Sequence, residues 1–337
     1  MANDDRALVV GISHYPGIRD LKGPSNDVDS FMTWLTDPNK GNVPPENVRQ
    51  FVSDPTQPNR PILTDIEDFF NQLVQEQKTK GNGTRIGRRV YLFLSGHGFA
   101  IPTLSQAALC MADANAAISY FPHLGGQIYA DDLGNRGMFD EVVLWMDCCR
   151  QMINGMTINP PPRLPALPPR PPRSFFWGFA TTTGELAAEA EFNVGGVVRP
   201  HGIFTALLLE GLDACKSRAG GEVYTSDVAN YIYSRMVDVL GQTAPRPRFQ
   251  GDPAQDILLF TRKSPEKKFP ITIVIADGAA GTLRFTTGQH VDVFPGLMAY
   301  EQGRCVVELP AGVYQVTKVE TGGSALFEVP GSPIVNL

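Results

Sequence analysis

No sizeable block of lysine and arginine occurs in this 337-residue chain, whose formal net charge is −6. A nucleic-acid surface would need such a footprint, so no nucleic-acid partner is expected. No stretch reaches the roughly 18 uninterrupted apolar residues that a membrane helix requires, so no membrane partner is expected. The opening Met1-Ala2-Asn3-Asp4-Asp5 is acidic and has neither the basic flank nor the apolar core of a secretory signal. The five cysteines, Cys110, Cys148, Cys149, Cys215 and Cys305, show no metal-ligand spacing. Their odd number and adjacent pair fit a reducing compartment better than a disulfide framework. A cytoplasmic protein without a resident metal or cofactor is the expectation. What is present is ordinary globular composition, 42% hydrophobic and 19% charged, long enough for one large core and a small second domain.

Apolar runs end abruptly in turn residues. Ala7–Ser13 is a continuous apolar strand of the kind covered on both faces. Val28, Phe31, Met32 and Leu35 then recur at helical spacing, with Asn26 or Asp27 as cap. Further strands are expected at Val48–Val52, Arg89–Leu94, Glu141–Met146, Phe175–Thr181 and Asp256–Thr261, and helices at Ile62–Gln77, Gly202–Leu212 and Tyr224–Val239. Alternating strands and helices predict an α/β fold with a mostly parallel sheet of about six strands and helices on both faces, over residues 1–262. Residues 154–173 contain a run so rich in proline that an extended, exposed loop is expected there. Beyond the charged linker Arg262–Lys268, short alternating runs punctuated by glycine predict a small β-sandwich over 269–337.

Two of these strands end in residues with reactive side chains. Ser95-Gly96-His97-Gly98 follows one, and Asp147-Cys148-Cys149-Arg150 follows another, about fifty positions later. Ligands of a parallel sheet bind beyond the carboxyl ends of its strands, and this separation accommodates a crossover between neighbours. A cysteine nucleophile needs a group that takes its proton and later protonates the leaving amine, and histidine titrates in the right range. Strand alternation puts Asp147 and Cys149 on one face and Cys148 on the other, so Cys149 is the candidate nucleophile and His97 the acid and base. The N–H groups of Gly98 and Cys149 are candidate oxyanion donors.

These two motifs, in this order and spacing, resemble the histidine and cysteine motifs of the caspase family. The Asp-x-Cys form resembles the metacaspase and bacterial caspase-like branch more than the animal caspases. The opening strand ALVVGIS, the segment LKGPSNDV, and GELAAE and HGIFTALLLEGL further on add to the resemblance, which spans residues 6–262. Arg150-Gln151-Met152 departs from it, since the family continues with a glycine close after the cysteine. That departure keeps open a second reading, a catalytically inactive scaffold that only binds.

The resemblance implies limited proteolysis after arginine or lysine, in a cell-death or defence pathway. Asp27, Ser95 and Asp147 match the branch's substrate-reading positions, and carboxylates suit a basic side chain. Arg150 leaves open the acidic preference of animal caspases. Arg163, Arg170 and Arg173 in the proline-rich loop are candidate self-cleavage sites. Calcium activation, found in some metacaspases, is suggested without ligands; Asp113 and Asp131-Asp132 form no recognisable coordination loop. The expected partners are a protein substrate and a protein bound at the C-terminal β segment.

Overall fold

The computed structural model describes residues 4–337 except 82–83, 102–105, 154–173, 242–245, 252–254, 263–267, 277, 279, 289–291, 295 and 332. The chain divides into two compact units, Met1–Gly211 with Tyr224–Thr261, and Leu212–Val223 with Arg262–Leu337.

The first unit is built on a six-stranded sheet. Its strands are β1 (Arg6–Gly11), β2 (Val48–Val52), β3 (Gly87–Ser95), β7 (Phe139–Asp147), β8 (Ser174–Phe179) and β12 (Arg248–Gly251), ordered β12-β8-β7-β3-β1-β2. All neighbours run parallel except β12, which is antiparallel to β8. Ala7, Leu8, Val9 and Val10 of β1 are fully buried, because helices cover both faces. On one face Leu8, Val10, Leu92, Leu94, Leu144 and Met146 share a core with Ile66, Phe69, Phe70 and Leu73 of α2 (Leu63–Lys80) and with Tyr129 and Leu133 of α3 (Gly126–Asn135). On the other face Phe31 of α1 (Pro24–Thr36) stacks on Phe93, and Phe204 of α4 (Ile203–Ala214) lies against Trp145. Pro24 opens α1, where its missing N–H costs no helix bond. Asp65 in the first turn of α2 accepts from the Ile62 N–H that precedes the helix.

The polar stretch after His97 is more structured than its pattern suggests. It forms a small antiparallel sheet, β4 (Gly98–Ile101), β5 (Gln106–Cys110) and β6 (His123–Gly125), followed by α3. Its strands are three to five residues long, too short to display a period. A hairpin of β9 (Glu189–Val194) and β10 (Val197–Gly202) precedes α4, and α5 (Thr225–Leu240) follows it. Short strands at Glu222–Tyr224 (β11) and Leu258–Thr261 (β13) stand outside the main sheet. The sixth strand is thus not Asp256–Thr261, as expected, but β12. It is a four-residue edge strand of alternating exposure, with too little apolar content to be recognised from sequence.

The second unit holds two sheets. One contains β14 (Lys268–Val274), β17 (Arg304–Pro310) and β20 (Ile334–Asn336). The other contains β15 (Gly281–Thr287), β16 (Met298–Tyr300), β18 (Gly312–Lys318) and β19 (Ser324–Val329). Ile271, Ile273, Val307 and Leu309 from the first and Leu283, Phe285, Tyr314 and Val316 from the second bury into one core, and on β17 Arg304, Val306 and Glu308 alternate outward.

Candidate active site

Strand order reverses at β1, since the chain leaves it toward β2 on one side and places β3 on the other. Loops after β1 and β3 therefore diverge and open a crevice at their carboxyl ends. Register makes the crevice a reactive one: Gly11 pairs with Ser95, and Ser95 with Asp147, so three strands end level. Paired residues in register face the same side, which puts Ser95 and Asp147 side by side. Cys148, one residue on, is buried in the core behind the sheet, and Cys149 is half-buried at the crevice.

Gly96 breaks β3 with φ +156, and a Cβ there would lie 2.5 Å from the Tyr15 hydroxyl. The chain turns on this residue and delivers His97 to a prepared seat. The His97 N–H donates to the Tyr15 hydroxyl at 2.9 Å, and that hydroxyl donates to the Cys110 carbonyl at 3.3 Å. The Tyr15 ring packs on the imidazole, 4.9 Å between centroids. His97 Nε2 lies 2.7 Å from the Arg19 carbonyl oxygen. A carbonyl only accepts, so Nε2 carries the hydrogen and Nδ1 is the nitrogen open to a proton. The loop holding Tyr15 and Arg19 is itself braced by Asp20, which accepts from the Tyr15 N–H at 2.7 Å and pairs with His14 at 2.9 Å. Those bonds hold the Asp20 carboxyl below its usual range.

Cys149 Sγ accepts from the Ala187 N–H at 3.3 Å and lies 3.9 Å from the Ala187 carbonyl oxygen. Among the described residues the imidazole and the thiol thus make their hydrogen bonds to backbone groups and not to each other. Burial pushes the Cys149 thiol above its ordinary value and His97 below its own. The resting pair is a neutral thiol beside a neutral imidazole. A depressed thiol, which a reactive cysteine is expected to have, is not what this geometry produces.

A cavity of about 340 Å³ contains both groups together with Asp27, Ser95, Asp147 and Glu189. Asp27 is fully buried on α1. It accepts from the Ser95 hydroxyl at 2.8 Å, the Gly202 N–H at 3.2 Å and His201 Nδ1 at 2.9 Å. Burial raises its carboxyl to about 8 despite those bonds. Burial also drives His201 down to about 4, so it donates as a neutral imidazole. Asp147 accepts from the Thr205 N–H at 2.9 Å and hydroxyl at 2.7 Å, both at Oδ2. Burial first, and then repulsion by Asp27, raise it to about 7. Gly202 leaves room for this carboxylate, since a Cβ there would lie 2.0 Å from Asp147 Oδ2. Asp27, Asp147, Glu189 and Arg19 are the charged or ionisable residues that line the cavity with His97 and Cys149.

The structure therefore gathers His97, Cys149, Asp27, Ser95 and Asp147 around one cavity. Gly98 is not among the lining residues; it opens β4, where a Cβ would come within 2.7 Å of Cys148 Sγ and the Ala108 carbonyl. Arg150 is buried, with its guanidinium over the Phe179 ring and bonded to the Thr181 carbonyl, so it reads no substrate. Arg163, Arg170 and Arg173 lie outside the described residues. Asp132 is engaged by Arg136 at 2.6 Å, and among the described residues no three metal-ligating side chains converge. No helix among them is long and apolar enough to cross a membrane. Tyr15 and Arg19 lie outside the quoted motifs, and Ala187, Glu189, His201 and Thr205 fall within GELAAE and HGIFTALLLEGL without having been given a role there. Arg19 and Ala187 act on the pair through backbone atoms, which leave no mark in a sequence.

A family model for the caspase domain matches residues 4–237. Among solved structures, caspase-1 from Spodoptera frugiperda is 13% identical, over 78% of this chain and 92% of that one, with a TM-score of 0.46. A structure described as pro-sf-caspase-1 is also 13% identical, over 74% of this chain and 91% of that one, with a TM-score of 0.40. No curated protein matches the sequence.

Proposed function

The chain belongs to the caspase-domain family of cysteine endopeptidases, and from that premise we propose a His97–Cys149 dyad that cuts proteins after arginine or lysine. The observation that carries this reading is a single cavity holding the thiol, the imidazole and the carboxyl side chains of Asp27, Asp147 and Glu189.

A basic side chain enters the cavity toward Asp27 and Asp147, which brings the following carbonyl over Cys149. Because the resting pair is neutral, proton transfer accompanies attack: Sγ bonds to the carbonyl carbon as His97 Nδ1 takes the thiol proton. The Arg19 carbonyl stabilises the imidazolium through Nε2–H. The negative oxygen is held by backbone N–H groups, with those of Gly98 and Cys149 as the assigned donors. Collapse breaks the C–N bond, His97 returns its proton to the leaving amine, and a thioester remains. Water, deprotonated by the same imidazole, releases the acid and restores the thiol.

The enzyme belongs with the metacaspase-like branch and matures by cutting itself at Arg163, Arg170 or Arg173. Its physiological work is limited proteolysis in a cell-death or defence setting, with a protein partner recruited by the C-terminal β unit. The test assays wild type and Cys149→Ala on matched fluorogenic peptides ending in Arg, Lys or Asp, with and without calcium. Cleavage after Arg or Lys that disappears in the variant is the expected result. Cleavage after Asp overturns the basic preference. Silence on all peptides, when limited proteolysis within residues 154–173 also fails to bring activity, overturns the peptidase reading in favour of a binding scaffold.

A further inference from the structure

Two bonds grip His97, and both come from one short loop. The Tyr15 hydroxyl accepts from the His97 backbone N–H, and the Arg19 carbonyl accepts from Nε2–H. The segment between them, Pro16-Gly17-Ile18, is turned by the Ile18 N–H, which donates to the Tyr15 carbonyl at 3.2 Å. The Leu21 N–H donates to the Ser13 carbonyl at 2.8 Å and closes the loop at its outer end. The Ala116 N–H holds its tip, donating to the Gly17 carbonyl at 3.1 Å.

Asp20 joins the two gripping ends. It follows Arg19 directly in the chain, and its Oδ1 accepts from the Tyr15 N–H at 2.7 Å. The contacts close a ring that runs from the imidazole through the Arg19 carbonyl, Asp20 and Tyr15 back to the His97 N–H. Oδ2 faces His14 Nδ1 at 2.9 Å, which steadies the carboxylate from its other side. The Asp20 side chain is 57% exposed. It fills no core, and an exposed pair of this kind contributes little to stability. Asp20 is not among the residues that line the cavity. Resting on the dyad read above, we propose that Asp20 is a positioning residue that sets the orientation and tautomer of His97 by holding the Arg19 carbonyl on Nε2–H. Without that tie the hydrogen redistributes to Nδ1, the nitrogen that must be bare to take the thiol proton.

The test compares wild type, Asp20→Ala and Asp20→Asn on two peptides that differ only at the cleavage position, arginine or its uncharged isostere citrulline. Alanine removes the tie, whereas asparagine keeps a carbonyl oxygen for the Tyr15 N–H. Asp20→Ala is expected to lower kcat about tenfold or more on both peptides, with KM and melting temperature nearly unchanged. Asp20→Asn is expected to recover most of that loss. NMR of protein carrying nitrogen-labelled histidine reads the tautomer directly, with the His97 signals identified by their absence in His97→Gln. The Nε2–H form is expected in wild type and Asp20→Asn, and a mixture in Asp20→Ala. An unchanged kcat or an unchanged tautomer in Asp20→Ala overturns the proposal. A fall confined to arginine overturns it as well, because Asp20 then acts on the substrate's charge. So does a fall that asparagine fails to recover, since the carboxylate's charge and not the tie is then what counts. Silence of wild type on both peptides, also after limited proteolysis within residues 154–173, refutes the dyad itself. The tautomer spectra need no turnover and then still decide whether Asp20 sets the imidazole.

Discussion

The proposed selection of a basic residue by buried carboxylates makes cleavage depend on pH in a way that the proposed dyad alone does not produce. Asp147 is raised to about 7 and Asp27 to about 8, in each case chiefly by burial. The charge that attracts a guanidinium is therefore absent in acid and appears as pH rises. For a group titrating near 7, the ionised fraction climbs from about one-tenth at pH 6 to about nine-tenths at pH 8, so the charge-dependent part of kcat/KM rises about tenfold. His97 also titrates, but it serves every substrate alike. Taking the ratio of arginine to citrulline peptides at each pH removes its contribution. That ratio is expected to rise through pH 7 in wild type and to flatten in Asp147→Asn, whose amide still accepts from Thr205. Linkage supplies an independent arm. A carboxyl at 3.8 when unfolded and at about 7 when folded leaves the native state holding more protons between those values. Its stabilising contribution is complete below 3.8 and is lost as pH rises to about 7. Asp147→Asn should accordingly melt higher than wild type at pH 8 and show no such gain at pH 4. A wild-type ratio that stays flat from pH 6 to 8, or a variant no more stable at pH 8, would refute the buried-charge reasoning.

Two further substitutions address the seat of the dyad. Tyr15→Phe removes the hydroxyl that joins the His97 N–H to the Cys110 carbonyl and leaves both without that partner. A loss of about 1–3 kcal/mol in stability is expected, together with a lower kcat on arginine and citrulline peptides alike; a fall confined to arginine would contradict this role. Gly202→Ala places a methyl against Asp147 Oδ2. It is expected to cost about 1–3 kcal/mol by overpacking and to weaken arginine cleavage, and unchanged melting and kinetics would show that the pocket wall yields freely.

Much of this protein is legible in its sequence because burial is written in runs of residues. ALVVG, RVYLFL and EVVLWM can only be strands covered on both faces, and a parallel sheet binds its ligand where such strands end. His97 and Cys149 were therefore found as candidates at strand ends, whereas Asp27, Ser95 and Asp147 were positions that the family resemblance implied. The small sheet after His97 and the edge strand β12 were not found, because segments of three to five residues carry no period. Arg19 and Ala187 escape detection for a different reason. They touch the dyad with backbone atoms, which every residue has.

By itself the sequence determined the long apolar strands and helices, the faces they bury and which reactive groups stand at the sheet's carboxyl edge. Tertiary structure alone decided how those groups behave. It set the protonation of Asp27, Asp147, His97 and Cys149, since a pKa depends on desolvation and neighbours brought from distant segments. It chose the imidazole nitrogen left open to a proton, through the Arg19 carbonyl, and it brought Glu189 on β9 to a cavity whose other walls lie far away in the chain. Local pattern fixes what a short segment can become, whereas charge state and hydrogen-bond partners are properties of the space the whole fold encloses.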